Sequence, residues 1–309
     1  MGAWLESLVP WGTEIIIWVQ SLSNPWLDTI AVVFTSLGYE EFYLLLLPLI
    51  YWCIHRGIGV RLAYASLLSA WLNSAIKYIF GIPRPDDPRI RIPLPETSPS
   101  FPSGHAQNAV VNWGYVAYAF RKPLLWVVAI IAMLGIGLSR VVLGVHFPQD
   151  VIAGWIIGLV VLGVYIWAEP PASRWIGRQR TAIQLILAVA GPVVLIFLHP
   201  RDTQGLYPTE AAVTSMSALA GLGVGAILER GHVRFRVDGE WWRRGLRFLL
   251  GIVIVGGLYV VPRLLIPTEL SYAAEAVLRF VRYALVGWAV AFLAPWCFVR
   301  LRLAVQESH

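Results

Sequence analysis

Ser139, Arg140, His146 and Asp150 fall within one short stretch of a chain whose long runs otherwise avoid polar side chains. Together they suit a phosphoryl-transfer site: an imidazole as nucleophile or base, a carboxylate to orient it, and a guanidinium to hold phosphate oxygens. Pro148 has a fixed φ and no N–H, so it belongs in the first turn of a helix, and it pushes Phe147 towards extended backbone. A helix is therefore predicted to begin near Pro148, with His146 just outside it and Asp150 in its first turn, where the dipole favours a carboxylate. From there Asp150 can reach one imidazole nitrogen, fix the tautomer and leave the other nitrogen a lone pair. A histidine and an aspartate at a membrane surface is the plain alternative, and this stretch alone does not separate the two.

Two further stretches bear on the choice. Lys77, at the end of an apolar run, and Arg84, in the turn after it, can hold two faces of a phosphate. Taken singly, a cation at the end of a span is more often an anchor whose charge reaches the interface. In Phe101-Pro102-Ser103-Gly104-His105-Ala106, the Ser103-Gly104 pair opens a predicted helix and offers free N–H groups at the positive end of its dipole, a ready anion site. Ser103 equally serves as an N-cap and Gly104 as a turn residue, with His105 then a surface histidine.

These stretches must be positioned by membrane helices. The chain has 309 residues, of which 58% are hydrophobic and 14% charged, with a mean hydropathy of +0.67, too apolar for a soluble globular protein. It is read as an all-α integral membrane protein, a polytopic helical bundle. Apolar runs at about residues 41–55, 60–80, 104–120, 124–142, 148–168, 181–198, 210–228, 246–264 and 283–300 predict nine transmembrane helices. Residues 1–38 carry Glu6, Glu14 and Asp28, no basic residue, and a break at Ser23-Asn24-Pro25. They are expected to form interfacial helices, without the charged n-region of a cleavable signal. The expected organisation is then N-terminal helices (1–38), a five-span catalytic core (39–168), a cytoplasmic linker with Pro170 and Pro171 (169–180) and a four-span block (181–309).

Lysine and arginine counts orient the spans. Arg56 and Arg61, Arg121 and Lys122, Arg174, Arg178 and Arg180, six arginines from Arg230 to Arg247, and Arg300 and Arg302 fall on one side, expected to be cytoplasmic. The other side receives residues 81–102, the turn at 139–147, and segments 199–208 and 262–282, so all three polar stretches fall together there. The net charge of +6 is explained by these loops, and nucleic acid is rejected as a partner. The segment from Glu229 to Arg247, with Trp241 and Trp242, is expected to be an interfacial belt against anionic headgroups. Cys53 and Cys297 lie in apolar runs and are expected to be packing residues.

In order and spacing, Lys77 to Pro85, Pro102 to His105 and Ser139 to Asp150 resemble the three-part signature of the type 2 phosphatidic acid phosphatase superfamily: K-x6-RP, PSGH and SR-x5-H-x3-D. The signature covers the second to fifth spans. A looser, whole-chain similarity is to the glucose-6-phosphatase branch. It rests on Trp71-Leu72-Asn73, on Glu96-Thr97-Ser98-Pro99 leading into PSGHA, on His146-Phe147-Pro148, and on nine spans with an outer N-terminus and a cytoplasmic C-terminus. Asp86-Asp87 departs from that branch, so sugar-phosphate specificity is not carried over.

The resemblance implies that His146 attacks phosphorus, that Asp150 orients it, and that His105 protonates the leaving oxygen and then activates water. Lys77, Arg84, Arg140 and the amides near Ser103 and Gly104 would hold the phosphoryl oxygens. The implied activity is hydrolysis of a lipid phosphate or diphosphate monoester at the extracytoplasmic face, with membrane lipids as surroundings and no cofactor. A phosphotransferase passing the phosphoryl group to a lipid or sugar hydroxyl, or a sugar-phosphate phosphatase, is the alternative. Two histidines and an aspartate also make a possible metal set, but three adjacent cations repel a divalent ion, so no metal is expected.

Overall fold

The computed structural model describes residues 2–265 and 270–307. Three short helices come first, Gly2–Ser7 (α1), Val9–Ser21 (α2) and Pro25–Ser36 (α3). The break between the last two is a cap: Asn24 Oδ1 accepts from the N–H groups of Trp26 and Leu27, both at 3.1 Å, and Pro25 takes the first helical position. Glu40–Leu49 (α4) passes Pro48 and loosens into a π-helical turn, Ile50–Ile54, as a proline that removes a ladder bond leads one to expect. Arg56–Phe80 (α5), Gly104–Phe120 (α6), Pro123–Val142 (α7) and Pro148–Gly177 (α8) follow. Then come Thr181–Leu198 (α9), Glu210–His232 (α10), Trp241–Leu265 (α11) and Tyr272–Trp288 (α12). The last continues through a second π-helical turn, Ala289–Leu293, into Ala294–Arg300 (α13). The described residues contain no strand, only an isolated bridge between Phe235 and Gln306.

Each of the nine predicted apolar runs falls on helix, but the span count does not reach nine. Six helices among the described residues are long and apolar enough to cross a membrane, or seven if α3 with Glu40–Ile54 makes one bent span. The two runs left over are α5 and α6. The first spends part of its 25 residues on Arg56, Arg61, Asn73 and Lys77, and the second has 17 residues and includes His105, Gln107, Asn108 and Asn112. These helices carry site residues, and that polarity lowers their apolar character. The protein is a multi-pass membrane protein, and rows of large apolar side chains on α7 and α8, such as Ile130, Ile131, Leu134, Ile156, Leu159 and Val160, are exposed as lipid-facing residues should be.

The chain forms two compact units, one of residues up to Tyr43 with Leu72–Ala168 and Asp202–Gly205, the other of Leu44–Trp71, Glu169–Arg201 and the residues from Leu206 on. The stretch expected as a linker, 169–180, is helical as far as Gly177, with Pro170 and Pro171 inside α8. In the first unit α6 packs along α7, and α2 and α3 also lie against α7. Ile16, Ile90, Ala106, Val141, Phe147 and Val151 form a buried cluster that joins α2, the 81–103 loop, α6, the end of α7 and the turn into α8. Gly154 lets α8 approach the N-terminus of α6: a Cβ there would lie 2.6 Å from the Ser103 carbonyl oxygen.

In the second unit α10 packs against α9 and α12, and its buried positions are mostly Ala, Gly and Ser, which lets helix backbones close up where lipid supplies no hydrophobic drive. The expected interfacial belt divides there. Trp241 is 84% exposed, whereas Arg247 is buried and donates to the carbonyls of Trp52 (3.3 Å), Arg236 (3.2 Å) and Asp238 (2.8 Å). Cys53 is buried, Cys297 is half-buried, and both are free thiols.

The close contact at Gly154 gives a test of the packing. Gly154→Val should destabilise the protein by about 1–3 kcal/mol, as overpacking does. Gly163→Ala on the same helix, where nothing lies within 4 Å, should be neutral or stabilising. Thermal unfolding of the two variants in detergent makes the comparison; equal behaviour would mean that α8 does not need its close approach to Ser103.

Candidate active site

Four helix ends and two connecting segments of the first unit converge on the predicted residues. Lys77 is in the last turn of α5, Ser103 caps α6 and His105 is in its first turn, Arg140 is in the last turn of α7, and Asp150 is in the first turn of α8. Arg84 lies in the 81–103 loop and His146 in the turn before α8, as Pro148 predicts. That turn depends on Gly144, whose φ of +68° is in the left-handed region and whose Cβ would meet Ile90 at 2.6 Å.

Asp150 reaches back as expected. Its Oδ2 accepts from the Phe147 N–H (3.0 Å) and the Ser100 hydroxyl (2.5 Å) and lies 3.4 Å from His146 Nδ1. The Asp150 carbonyl also accepts the Ser103 N–H at 3.0 Å, which ties the second motif to the third. On the other edge of the imidazole, Arg84 Nη1 is 3.2 Å from His146 Nε2. A carboxylate beside Nδ1 and a guanidinium donor beside Nε2 select the tautomer with the proton on Nδ1 and the lone pair on Nε2.

Arg84, half-buried, and Arg140, buried, converge on one carboxylate. Arg84 donates through Nη2 to Glu96 (2.7 Å) and Ser98 Oγ (3.1 Å), through Nε to the Ser98 carbonyl (2.7 Å), and through Nη1 to the Val145 carbonyl (2.7 Å). Arg140 donates to the other Glu96 oxygen and to Thr35, and stands over the Tyr39 ring, 5.9 Å from its centroid. Tyr39 also meets His105 edge-on, with ring centroids 4.8 Å apart. Lys77 donates to the Pro99 carbonyl and lies 3.4 Å from Ser98 Oγ. His105 Nε2 is buried and has no hydrogen-bond partner among the described residues.

Ser103 behaves as an N-cap, its hydroxyl accepting from the Ala106 N–H at 3.4 Å. Among the described residues the amides of Gly104 and His105 remain as the donors of that first turn left for a ligand. Asn73 supports it from α5, bonding Gln107 at 2.9 Å and the Pro102 carbonyl at 3.4 Å. Among the described residues no three His, Cys, Asp or Glu side chains form a group that could hold a metal.

Sequence reasoning placed no role on Ser98, Ser100, Thr35 or Tyr39, and Glu96 entered it only through a resemblance. One signal pointed to Glu96: three cations brought together on one side of an apolar chain call for a nearby carboxylate. The serines had no such signal, because the 81–103 loop has no periodicity to read. That loop is fastened to the N-terminal helices. Gln20 bonds the Arg91 backbone in both directions (2.8 and 2.9 Å) and also donates to the Val142 carbonyl (3.1 Å), while Arg91 pairs with Asp28 at 2.9 Å and Arg89 with Glu14 at 2.9 Å.

With this geometry in view, the comparisons with known proteins agree on the class. The PAP2 superfamily model matches residues 58–174, and the model described as PAP2 superfamily phosphatase, transmembrane extension, matches residues 213–306. Phosphatidylglycerophosphatase B of Bacillus subtilis is 30% identical, over 45% of this chain and 74% of its own. The dihydrosphingosine 1-phosphate phosphatase of Schizosaccharomyces pombe is 26% identical, over 69% of this chain and 55% of its own, so this chain spans about half the length of that relative. Glucose-6-phosphatase catalytic subunit 1 of Rattus norvegicus is 24% identical over 90% of each chain. The chain belongs to the PAP2 superfamily, as its three motifs suggest, and its relatives include lipid phosphate and sugar phosphate phosphatases.

Burial first, then the charges of Lys77, Arg84, Arg140 and His105, hold the His146 imidazole well below its usual range. In acid the unfolded chain therefore binds a proton at this residue that the folded chain does not, so stability is lost as pH falls below about 6.5. His146→Gln should remove up to about 1.4 kcal/mol per pH unit from that slope. Unfolding measured at a series of pH values on both proteins checks this; an unchanged slope would mean that the folded protein protonates His146 as readily as the unfolded chain.

Proposed function

We propose that this protein is a membrane phosphatase that hydrolyses a lipid phosphate or diphosphate monoester through a phosphohistidine on His146, at the extracytoplasmic face and without a metal. The observation that carries this reading is the imidazole held between Asp150 at Nδ1 and Arg84 at Nε2. Its lone pair thus points at a cation suited to binding the phosphoryl group that it would attack. In the first step Nε2 attacks phosphorus, the bond to the ester oxygen breaks, and His105 gives that oxygen a proton. A bound phosphate brings negative charge among the three cations and so favours the protonated His105 that this step needs. In the second step His105 takes a proton from water, which attacks phosphohistidine and releases phosphate. Lys77, Arg84, Arg140 and the first amides of α6 supply positioning and charge stabilisation, the larger part of phosphoryl-transfer catalysis.

The extracytoplasmic face is supported by charge: the site gathers the helix ends opposite those bearing Arg56 and Arg61, Arg121 and Lys122, and Arg174. A lipid substrate is supported by a site at helix ends in a membrane protein and by what two of the relatives are named for, dihydrosphingosine 1-phosphate and phosphatidylglycerophosphate. The match to a glucose-6-phosphatase over 90% of the chain favours a sugar phosphate as the second reading. Phosphate release by purified protein from a panel of lipid and sugar phosphates, with a lipid and a sugar alcohol offered as acceptors, separates these readings and the phosphotransferase.

The two histidines should differ in how they fail. His146→Ala should form no phosphoenzyme from any substrate, and orthovanadate should inhibit the wild type. His105→Ala should lose phosphoenzyme formation from a lipid phosphate by roughly two to four orders of magnitude, because an alkoxide leaves poorly without a proton. It should keep much more of that step with p-nitrophenyl phosphate, whose leaving group needs little help. Rapid-quench measurements on both variants make the comparison; equal losses on both substrates in His105→Ala would remove the acid role, and near-normal turnover in His146→Ala would remove the nucleophile.

A further inference from the structure

Two of the three cations that the proposed reaction assigns to phosphate, Arg84 and Arg140, are already bound to an anion belonging to the chain. Glu96 takes a donor from Arg84 on one carboxylate oxygen and a donor from Arg140 on the other. Two guanidiniums on the two oxygens of one anion is also the contact they would make with a phosphoryl group, and charge-assisted contacts of this kind are the strong ones. We propose that Glu96 is a positioning residue which fills the phosphoryl seat as an internal carboxylate and is exchanged for the substrate's phosphoryl oxygens at each turnover. The inference rests on reading Arg84 and Arg140 as phosphate ligands.

Exposure indicates which partner moves. The Arg140 side chain is 0% exposed and that of Arg84 12%, whereas that of Glu96 is 25% exposed. The arginines are also held by groups other than Glu96. Thr35 and Tyr39 hold Arg140, and Ser98 and Val145 hold Arg84. The loop is fixed on both sides of Glu96, at Arg91 by Gln20 and Asp28 and at Ser98 by Arg84. Pro93 and Pro95 further restrict the backbone between those anchors. The exchange is therefore a swing of the Glu96 side chain towards solvent.

The same exchange governs the nucleophile. Arg84 Nη1 donates towards His146 Nε2 while Nη2 holds Glu96, so the lone pair that would attack phosphorus stays covered until a phosphoryl group takes up the Arg84 donors in place of Glu96. After hydrolysis, inorganic phosphate sits on the same two arginines, and the returning carboxylate displaces it. Glu96 thus weakens ground-state binding of substrate and product and speeds product release.

The test is phosphate binding, which does not need turnover. Full-length wild type, Glu96→Gln and Glu96→Ala in detergent are titrated with inorganic phosphate and with orthovanadate by calorimetry, and the melting temperature of each is recorded without ligand. Both variants should bind phosphate more tightly, by roughly tenfold if Glu96 fills the seat about nine-tenths of the time. With substrate, KM and kcat should both fall, since product then leaves slowly. Unchanged or weaker phosphate binding in the two variants, whether or not the melting temperature falls, would overturn the proposal and leave Glu96 as a brace for the arginines. Wild-type protein that binds neither anion would be a different failure: it would remove the phosphate seat itself, and with it the reading of Arg84 and Arg140.

Discussion

The guanidinium of Arg84 is the contact on which the rest of the site depends. Its Nε and two Nη atoms bond the backbone and side chain of Ser98, the carbonyl of Val145, the carboxylate of Glu96 and the imidazole of His146. A planar fork with five donors can join a loop without regular structure to the turn that carries the histidine, and a lysine, with three donors about one nitrogen, cannot match that geometry. The contacts to Ser98 and Val145 fix where the fork sits. Those to Glu96 and His146 put one positive group between an anion and a lone pair. Asp150 acts from the opposite side, binding the other imidazole nitrogen, Ser100 and, through its carbonyl, the cap of α6. The imidazole orientation is thus set twice, by partners from different parts of the chain.

Such a site is expensive in an apolar setting, because a buried charge left without a partner is strongly destabilising. The chain meets this by placing its polar residues at helix ends, where backbone groups lack helical partners and the surroundings are less apolar than at mid-membrane. Arg140 is the extreme case, fully buried at the end of α7 between Thr35, Tyr39 and Glu96. The short α6 and the polar face of α5 reflect the same demand. Segments that supply chemistry give up hydropathy, and for that reason two of the nine predicted spans fall outside the set that length and apolar character alone would pick.

Much of this arrangement could be read from residue types. Pro148 marks the start of α8 and so puts His146 outside it, Ser103 before Gly104 marks the start of α6, and the lysine and arginine count put the three motifs together before any motif was used. Helix boundaries were legible because proline, serine and glycine act locally. The partners that the site draws from the 81–103 loop were less so: three cations call for a carboxylate without saying which, and Glu96, Ser98 and Ser100 lie in a stretch held by contacts with Gln20 and Asp150, far away in sequence. Pro170 and Pro171 suggested a break, yet α8 continues past them to Gly177. The burial of Arg247 also escaped a charge count, since it is satisfied by three backbone carbonyls that no side-chain pattern reveals.

The Gln20 amide bears on how the protein is made. It binds carbonyls of residues 71 and 122 positions further along, so its two partners do not exist when α2 leaves the ribosome. At typical elongation rates of about 5–20 residues per second, the second partner arrives roughly 6 to 25 seconds later. Until then only the contacts with the 81–103 loop can form, and the hold of Gln20 on the end of α7 is still missing.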